Sequence, residues 1–208
     1  MLSVAPGQVG FATKGNLIES CVVSDNIYPS GGGLGVGGIA LAAGIVRDCL
    51  ISDCTIALGS YCWAADSLIF ENNTVSNCEY GMNFDSPPFD NTTIRGNTFI
   101  TKNYGIVMVN VTNFIVEGNT FKLGNSVEGI HLSLNDANVV IRNNQFINIS
   151  ASGSGNPCGI NFYNTGTGPI IIHGNRMDRG IVNNTSLGLI SLCHDNTTFD
   201  GAALIDLS

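Results

Sequence analysis

Polar residues recur at alternate positions in three short segments of similar sequence. The segments are Gly81-Met82-Asn83-Phe84-Asp85, Gly129-Ile130-His131-Leu132-Ser133 and Gly159-Ile160-Asn161-Phe162-Tyr163. Alternation with period two is typical of a strand that buries one face, so the polar members of each segment point to the same side. The candidates for proton transfer are Asp85 and His131. The candidates for hydrogen-bonding a substrate are Asn83, Ser133, Asn161 and Tyr163.

Three interpretations of these residues stay open. Hydrolysis of a glycosidic bond usually needs two carboxylates about 5–9.5 Å apart, and Asp85 has no evident second carboxylate on this face. His131 is expected two turns of chain away from Asp85, about 9–10 Å, with Val107 and Val109 between them. Alternatively, the residues bind sugar hydroxyls without catalysis, with Tyr163 or the loop residues Tyr104 and Phe89 stacking on a sugar ring. The simplest alternative is a solvated polar strand face.

An internal repeat determines how these segments are positioned. One six-residue pattern recurs every 22–31 residues. It consists of an apolar residue, a charged residue, a turn-forming residue, an anchor, any residue and a second apolar residue. Its anchors are Cys21, Cys49, Asn73, Asn97, Asn119, Asn144 and Asn175. Each repeat holds two or three short strands punctuated by Gly and Asn, and no window has a sustained helical period. The outward row of Asn83 is expected to continue through Ala40, Ala57, Val107, His131 and Asn161.

Two rows of the repeat predict structural ladders. Asn73, Asn97, Asn119, Asn144 and Asn175 are expected to stack amide on amide along the axis. Two residues before each anchor the charge alternates in sign, through Glu19, Arg47, Glu71, Arg95, Glu117 and Arg142, and His173 ends the row. Opposite charges on neighbouring strands stabilise by about 0.2–1 kcal/mol each, and a slip by one turn would place like charges together. The two rows therefore fix the register.

On these motifs, residues 16–180 resemble the right-handed parallel β-helix of the pectate-lyase-like superfamily. The resemblance implies an all-β, single-stranded solenoid of about seven to eight rungs of ~22–28 residues. We expect one domain over 1–208, with a lead-in at 1–15, regular rungs at 16–180 and an irregular tail at 181–208. The resemblance also implies that a substrate would lie across the outward face of one sheet, where the polar segments fall.

The resemblance leaves the activity open. Asn83-Phe84-Asp85 looks like the Asn-x-Asp of the polygalacturonase family, but no Asp-Asp pair, Gly-His-Gly or Arg-x-Lys accompanies it. A lyase would need a basic residue, and often calcium held by clustered acids, whereas Asp85, Asp90, Glu128 and Asp136 are scattered. We therefore expect no bound metal, with calcium as the one candidate cofactor if the protein is a lyase.

The composition restricts the classes of partner that the protein is expected to bind. The chain carries 8 Lys and Arg against 16 Asp and Glu, a net charge of −8, and only 12% of its residues are charged. An acidic chain without a basic stripe argues against nucleic acid, and no stretch suits a membrane span. We expect a non-catalytic, glycan-facing domain of tailspike or adhesin type that forms a homo-oligomer, located outside the cell or on a virion, although residues 1–15 contain no visible secretory leader. The alternatives are a lyase or hydrolase of an acidic polysaccharide, and a subunit that assembles end to end into fibres.

Overall fold

A computed structural model describes most of the repeat region. The described residues are 16–25, 38–41, 43–59, 65–85, 89–124, 128–134, 136–148, 158–164, 168–178, 181–183 and 192–198. Within them every regular element is a β-strand.

Most of the strands are short, and all the described pairings are parallel. In chain order they are β1 (Asn16–Glu19), β2 (Val22–Ser24), β3 (Ile39–Ala40), β4 (Gly44–Arg47), β5 (Leu50–Ser52), β6 (Ile56–Gly59), β7 (Ala65–Asp66), β8 (Leu68–Glu71), β9 (Thr74–Phe84), β10 (Phe89–Arg95), β11 (Thr98–Val109), β12 (Val111–Glu117), β13 (Thr120–Leu123), β14 (Glu128–Leu134), β15 (Ala137–Arg142), β16 (Gln145–Asn148), β17 (Cys158–Asn164), β18 (Ile170–His173), β19 (Arg176–Met177), β20 (Ile181–Asn183) and β21 (Leu192–His194). Each strand pairs with the equivalent strand one turn away along the chain, so the protein is an all-β parallel solenoid.

The first sheet is a regular stack in the order β1-β4-β8-β10-β12-β15-β18-β21, with β7 also pairing with β10. Its last positions form one row, Glu19, Arg47, Glu71, Arg95, Glu117, Arg142, His173 and His194. Arg47 lies 2.6 Å from Glu19, Arg95 lies 2.5 Å from Glu71, and Arg142 lies 2.5 Å from Glu117. The alternating charges therefore meet as neighbours, and the row ends on two stacked histidine rings.

The second sheet bends along its length. Its long strands β9 and β11 pair with β5 and β13 at their beginnings and with β6 and β14 at their ends. The register between β9 and β11 shifts between Thr101 and Tyr104, just before Gly105. A Cβ on Gly105 would lie 2.4 Å from the backbone oxygen of Gly129 and 2.6 Å from the Phe121 ring. Only glycine fits this bend without displacing the next turn of the chain.

The register of the second turn differs from the expected one. Ile56 pairs with Tyr80 and Leu58 with Met82, so Ala57 lies opposite Gly81 and is fully buried. The expectation that Ala57 shares the outward row of Asn83 is wrong, because this small residue takes the place of the glycine at the bend. Gly59 is the residue that pairs with Asn83.

The interior is a single continuous core of apolar side chains from every turn. Three phenylalanine rings stack along the axis, with centroids 5.0 Å apart for Phe99 and Phe121 and 4.7 Å apart for Phe121 and Phe146. Phe89, expected on a loop that could stack on a sugar, lies instead in β10, is fully buried and packs against Phe84 at 5.4 Å. It therefore belongs to the core.

A buried column of asparagines runs beside this core. Asn97 donates to Asn119 Oδ1 from its backbone nitrogen at 2.9 Å and from Nδ2 at 3.0 Å. The same pair of bonds joins Asn73 to Asn97, Asn119 to Asn144, and Asn144 to Asn175. The column continues one turn further than the expected anchors, because Asn175 donates to Asn196 at 3.1 and 2.9 Å.

The residue before each anchor adopts the left-handed conformation that a sharp bend requires. This set consists of Ser20, Asp48, Asn72, Gly96, Gly118, Asn143, Gly174 and Asp195. A second set of left-handed residues, Ser67, Asn91, Asn113 and Asn138, bends the chain within the first sheet. The anchor-row cysteines Cys21 and Cys49 are free thiols, as are Cys54 and Cys78 in the next row.

Candidate functional site

The polar segments lie side by side on the outward face of the second sheet, after its bend. In register, Gly59, Asn83, Val107, His131 and Asn161 form one row across β6, β9, β11, β14 and β17. The flanking residues Met82 and Phe84 are fully buried on the opposite side. The solenoid therefore holds these side chains on rigid, backbone-paired strands, which position a site more accurately than loops do.

A carboxylate joins two members of this row. Glu128 Oε2 accepts a hydrogen bond of 2.7 Å from His131 Nδ1, and Glu128 Oε1 accepts one of 2.7 Å from Asn161 Nδ2. A carboxylate on Nδ1 fixes the orientation of the imidazole ring. About one fifth of the Glu128 and His131 side chains is exposed, at 20% and 19%. The carboxylate, the imidazole and the amide thus form a connected polar network, in which Glu128 and His131 are partly exposed and Asn161 is buried, at 4% exposed.

Two tyrosines extend the network along the axis. Tyr80, Tyr104 and Glu128 pair in register in a row next to that of His131. The Tyr80 and Tyr104 rings are stacked, with centroids 5.4 Å apart and an angle of 10° between the planes. The Tyr104 ring meets the His131 ring edge to face at 5.6 Å. We call Tyr80, Tyr104, Glu128, His131 and Asn161 the lateral patch.

Asn83 lies at the edge of the lateral patch and has an unusual environment. Its side chain belongs to the outward row, yet the residue is only 3% exposed. No donor among the described residues reaches its Oδ1. A buried acceptor left without a partner costs about 1–3 kcal/mol.

The other predicted site residues are less closely connected. Asp85 follows β9 directly and is half-buried, and strand β11 separates it from the strand of His131. The backbone nitrogen of Ser133 donates to Asp136 at 3.1 Å, and Ser133 pairs with Tyr163 in β17. The side chain of Tyr163 lies outside the described part of the structure. Asp85 and His131 are thus not on neighbouring strands, and the contact that His131 makes is with Glu128.

Asp136 is a structural carboxylate beside this face. It is fully buried and accepts hydrogen bonds from the backbone nitrogens of Val111, at 3.0 Å, and Ser133. Burial raises its pKa to about 7, although the backbone donors act in the opposite direction. The Asp136 carboxyl group therefore connects the beginning of β12 to the end of β14 through hydrogen bonds.

The sequence expectation missed Glu128 and Tyr80 and placed Tyr104 in a loop. All three occupy one repeat position, the residue immediately before Gly81, Gly105 or Gly129. Aligning that position would have predicted a common row. Glu128, expected to be one of several scattered acids, is the residue that connects the patch.

The described residues offer neither a cluster of metal ligands nor a basic side chain in the rows around the lateral patch. None of them forms a group of three His, Cys, Asp or Glu side chains arranged to hold a metal ion. The described members of the rows around the patch include no Lys or Arg. No described helix has the length and apolar character needed to cross a membrane.

Comparison with known proteins gives the family context. Residues 7–146 match the model of the right-handed β-helix region, which is more than half of the 208 residues of the chain. A search of curated proteins found no match.

Proposed function

The chain belongs to the right-handed β-helix family, and from this premise we propose that it is a non-catalytic glycan-binding protein of tailspike or adhesin type. The lateral patch is the proposed binding surface. The proposed location of the protein is outside the cell or on the surface of a virion. The single observation that carries the proposal is the contact set of Glu128 with His131 and Asn161, beside the stacked tyrosines. The continuous strand path of the first sheet supports the accompanying proposal of seven to eight rungs.

The chemistry of the patch suits a sugar. Amide, imidazole and carboxylate groups hydrogen-bond hydroxyls in defined directions, and a tyrosine ring offers an apolar face together with a polar end. The hydrogen bonds within the patch hold these groups in place before a ligand arrives, which reduces the entropy lost on binding. Ser133 and Tyr163 belong to the same strands and are the proposed extension of the surface, and Asn83 lies buried at its edge.

A binding panel with matched variants tests this proposal. The purified chain is titrated with soluble oligosaccharides, and the preferred one is measured again with His131→Ala and Asn161→Ala. We expect each variant to weaken binding at least about tenfold, which corresponds to ~1.4 kcal/mol. The control is Thr112→Ala, a truncation on the outward side of β12 in the first sheet, which should leave the affinity unchanged. Equal affinities for all four proteins would place binding elsewhere.

A polysaccharide lyase or glycoside hydrolase is the second candidate. It is favoured by the Glu128–His131 contact, because an imidazole oriented by a carboxylate is a common general base. In a lyase or hydrolase, Asp85 would be the proposed partner of His131 in proton transfer. Calcium would be the candidate cofactor of a lyase. Release of unsaturated or reducing ends from polysaccharides, abolished by His131→Ala, would establish it. Intact polymers after prolonged incubation with and without calcium would exclude it for those substrates.

Lateral association is the proposed mode of oligomerisation. Leu17, Val22 and Leu50 are 52%, 75% and 53% exposed, and Val22 pairs with Leu50 on the outward side of the second sheet. All three lie in the first two described turns, Leu17 in the first sheet and the other two in the second. Their outward positions support lateral contact in a discrete oligomer such as a trimer, and fibres built end to end are the alternative. Light scattering distinguishes the two, since a trimer has a fixed mass and fibres grow with concentration.

A further inference from the structure

We infer that the lateral patch selects sugars that carry no carboxylate and discriminates against uronic acids. The inference rests on the proposed function and adds the chemical class of the ligand. It contradicts the expectation that an enzyme of this kind would act on an acidic polysaccharide.

The first argument is charge. Glu128 lies at the centre of the patch and bonds to both His131 and Asn161. The described row positions around it hold tyrosine, valine, asparagine, serine and histidine, without lysine or arginine. The neighbouring Lys102 lies 3.7 Å from Glu79, so an acid on its own strand pair already compensates its charge. Among the described residues, the charged or ionisable partner of Glu128 is the His131 imidazole, and no arginine or lysine lies within salt-bridge distance of it. A uronate at the patch would therefore face this carboxylate.

The second argument is the balance of donors and acceptors. Both oxygens of Glu128 accept a hydrogen bond, one from His131 and one from Asn161. An ionised carboxylate has about four lone-pair sites, so each oxygen of Glu128 can accept one further hydrogen bond. The patch therefore favours a ligand that donates hydrogen bonds. Sugar hydroxyls donate, whereas an ionised carboxylate only accepts.

The size of the discrimination follows from Coulomb's law. Two like charges about 6 Å apart at an effective dielectric constant of about 40 repel enough to weaken binding roughly tenfold. Ions screen this repulsion over a Debye length of about 8 Å at physiological salt and about 3 Å at 1 M. The discrimination should therefore shrink as salt is added.

The experiment compares ligands that differ only in their carboxylates. The probes are hexagalacturonate and its fully methyl-esterified form, together with the neutral hexaoses of glucose, mannose and N-acetylglucosamine. The 208-residue chain is titrated by calorimetry in low salt and in 1 M NaCl. We expect a neutral probe to bind, and the methyl ester to bind about tenfold more tightly than hexagalacturonate in low salt.

Glu128→Gln separates the charge from the shape of the site, because the amide keeps an acceptor oxygen. This variant should remove most of the tenfold difference between the ester and the uronate. The control is Glu117→Gln, which changes the net charge equally but lies in the first sheet, paired with Arg142. It should leave the difference intact.

The outcomes distinguish this inference from the proposed function. If no probe or panel glycan binds, the proposed function fails and the inference fails with it. If hexagalacturonate binds as tightly as its ester, or if Glu128→Gln leaves their ratio unchanged, glycan binding stands and the selectivity is wrong.

Discussion

Removal of one amide from the asparagine column should cost more stability than any exposed polar truncation. Asn119 is 1% exposed and lies in the middle of the column. In Asn119→Ala, Asn97 loses the acceptor for its backbone nitrogen, and the carbonyl oxygen of Ile94 loses the hydrogen bond from Asn119 Nδ2, both at 2.9 Å. Each buried group left without a partner costs about 1–3 kcal/mol. We expect a total loss of about 3–5 kcal/mol in the free energy of unfolding.

Part of the network survives, which sets the upper limit of that loss. Asn97 Nδ2 keeps its bonds to the carbonyl oxygens of Phe70 and Arg95. Asn144 Oδ1 keeps the bond from the backbone nitrogen of residue 119 at 2.9 Å. The substitution therefore leaves the backbone nitrogen of Asn97 without its acceptor and removes the side-chain hydrogen bonds of residue 119, but it does not disrupt the whole column.

Urea unfolding followed by circular dichroism measures the effect. The control is Asn103→Ala, an exposed amide on β11 that donates to Glu79 at 2.6 Å. It should cost less than about 1 kcal/mol, as exposed polar contacts do. If Asn119→Ala costs no more than Asn103→Ala, the column is not a major source of stability, and the reasoning is refuted.

Three further predictions concern other parts of the chain. The pKa of Asp136 is raised to about 7 in the folded state, against about 3.9 in the unfolded chain. The free energy of unfolding should therefore fall as the pH rises from 4 towards 7, because the folded state favours the protonated carboxyl. Asp136→Asn should lack this part of the pH dependence. Gly105→Ala should destabilise the fold by several kcal/mol, because the added Cβ would clash with the next turn. In Gly118→Ala the Cβ has open space, and the variant should cost about 1 kcal/mol because the backbone there is left-handed. Iodoacetamide followed by peptide mapping should label the exposed Cys21 before the buried Cys78, where hydrogen bonding to Cys54 and burial raise the thiol pKa.

Each of these predictions has a contradicting result. A flat difference between wild type and Asp136→Asn from pH 4 to 7 would mean that the carboxyl titrates normally. Equal melting temperatures for Gly105→Ala and Gly118→Ala would mean that the bend has room for a methyl group. Labelling of Cys78 at the rate of Cys21 in the folded protein would mean that its row is open to solvent.

The solenoid could be predicted because its sequence repeats at the period of its structure. Residues such as Asn97 and Asn119 recur at one position of each turn and meet the same residue type on the next strand. Arg95 and Glu71 alternate in sign for the same reason. The second turn was harder to align because Ala57 stands where the other turns have a glycine. The glycine that identifies this position in the other turns is therefore missing from its sequence.

The connections within the candidate site could not be predicted from alternation alone. In a flat strand Glu128 and His131, three residues apart, would point to opposite faces. Gly129 and Ile130 are consecutive inward residues at the bend, so the strand loses its simple period and both flanking side chains point outward. The burial of Asn83 is likewise set by tertiary packing and has no local sequence signal.

The most direct test of the account is to map where a glycan contacts the protein. Isotope-labelled protein is titrated with the preferred oligosaccharide, and the shifts of its backbone amides are followed by nuclear magnetic resonance. We predict the largest chemical-shift changes at the backbone amides of residues 80–83, 104–107, 128–133 and 158–161, on the outward side of the second sheet. Shifts concentrated in β10, β12 and β15 of the first sheet, or confined to the terminal strands, would contradict it.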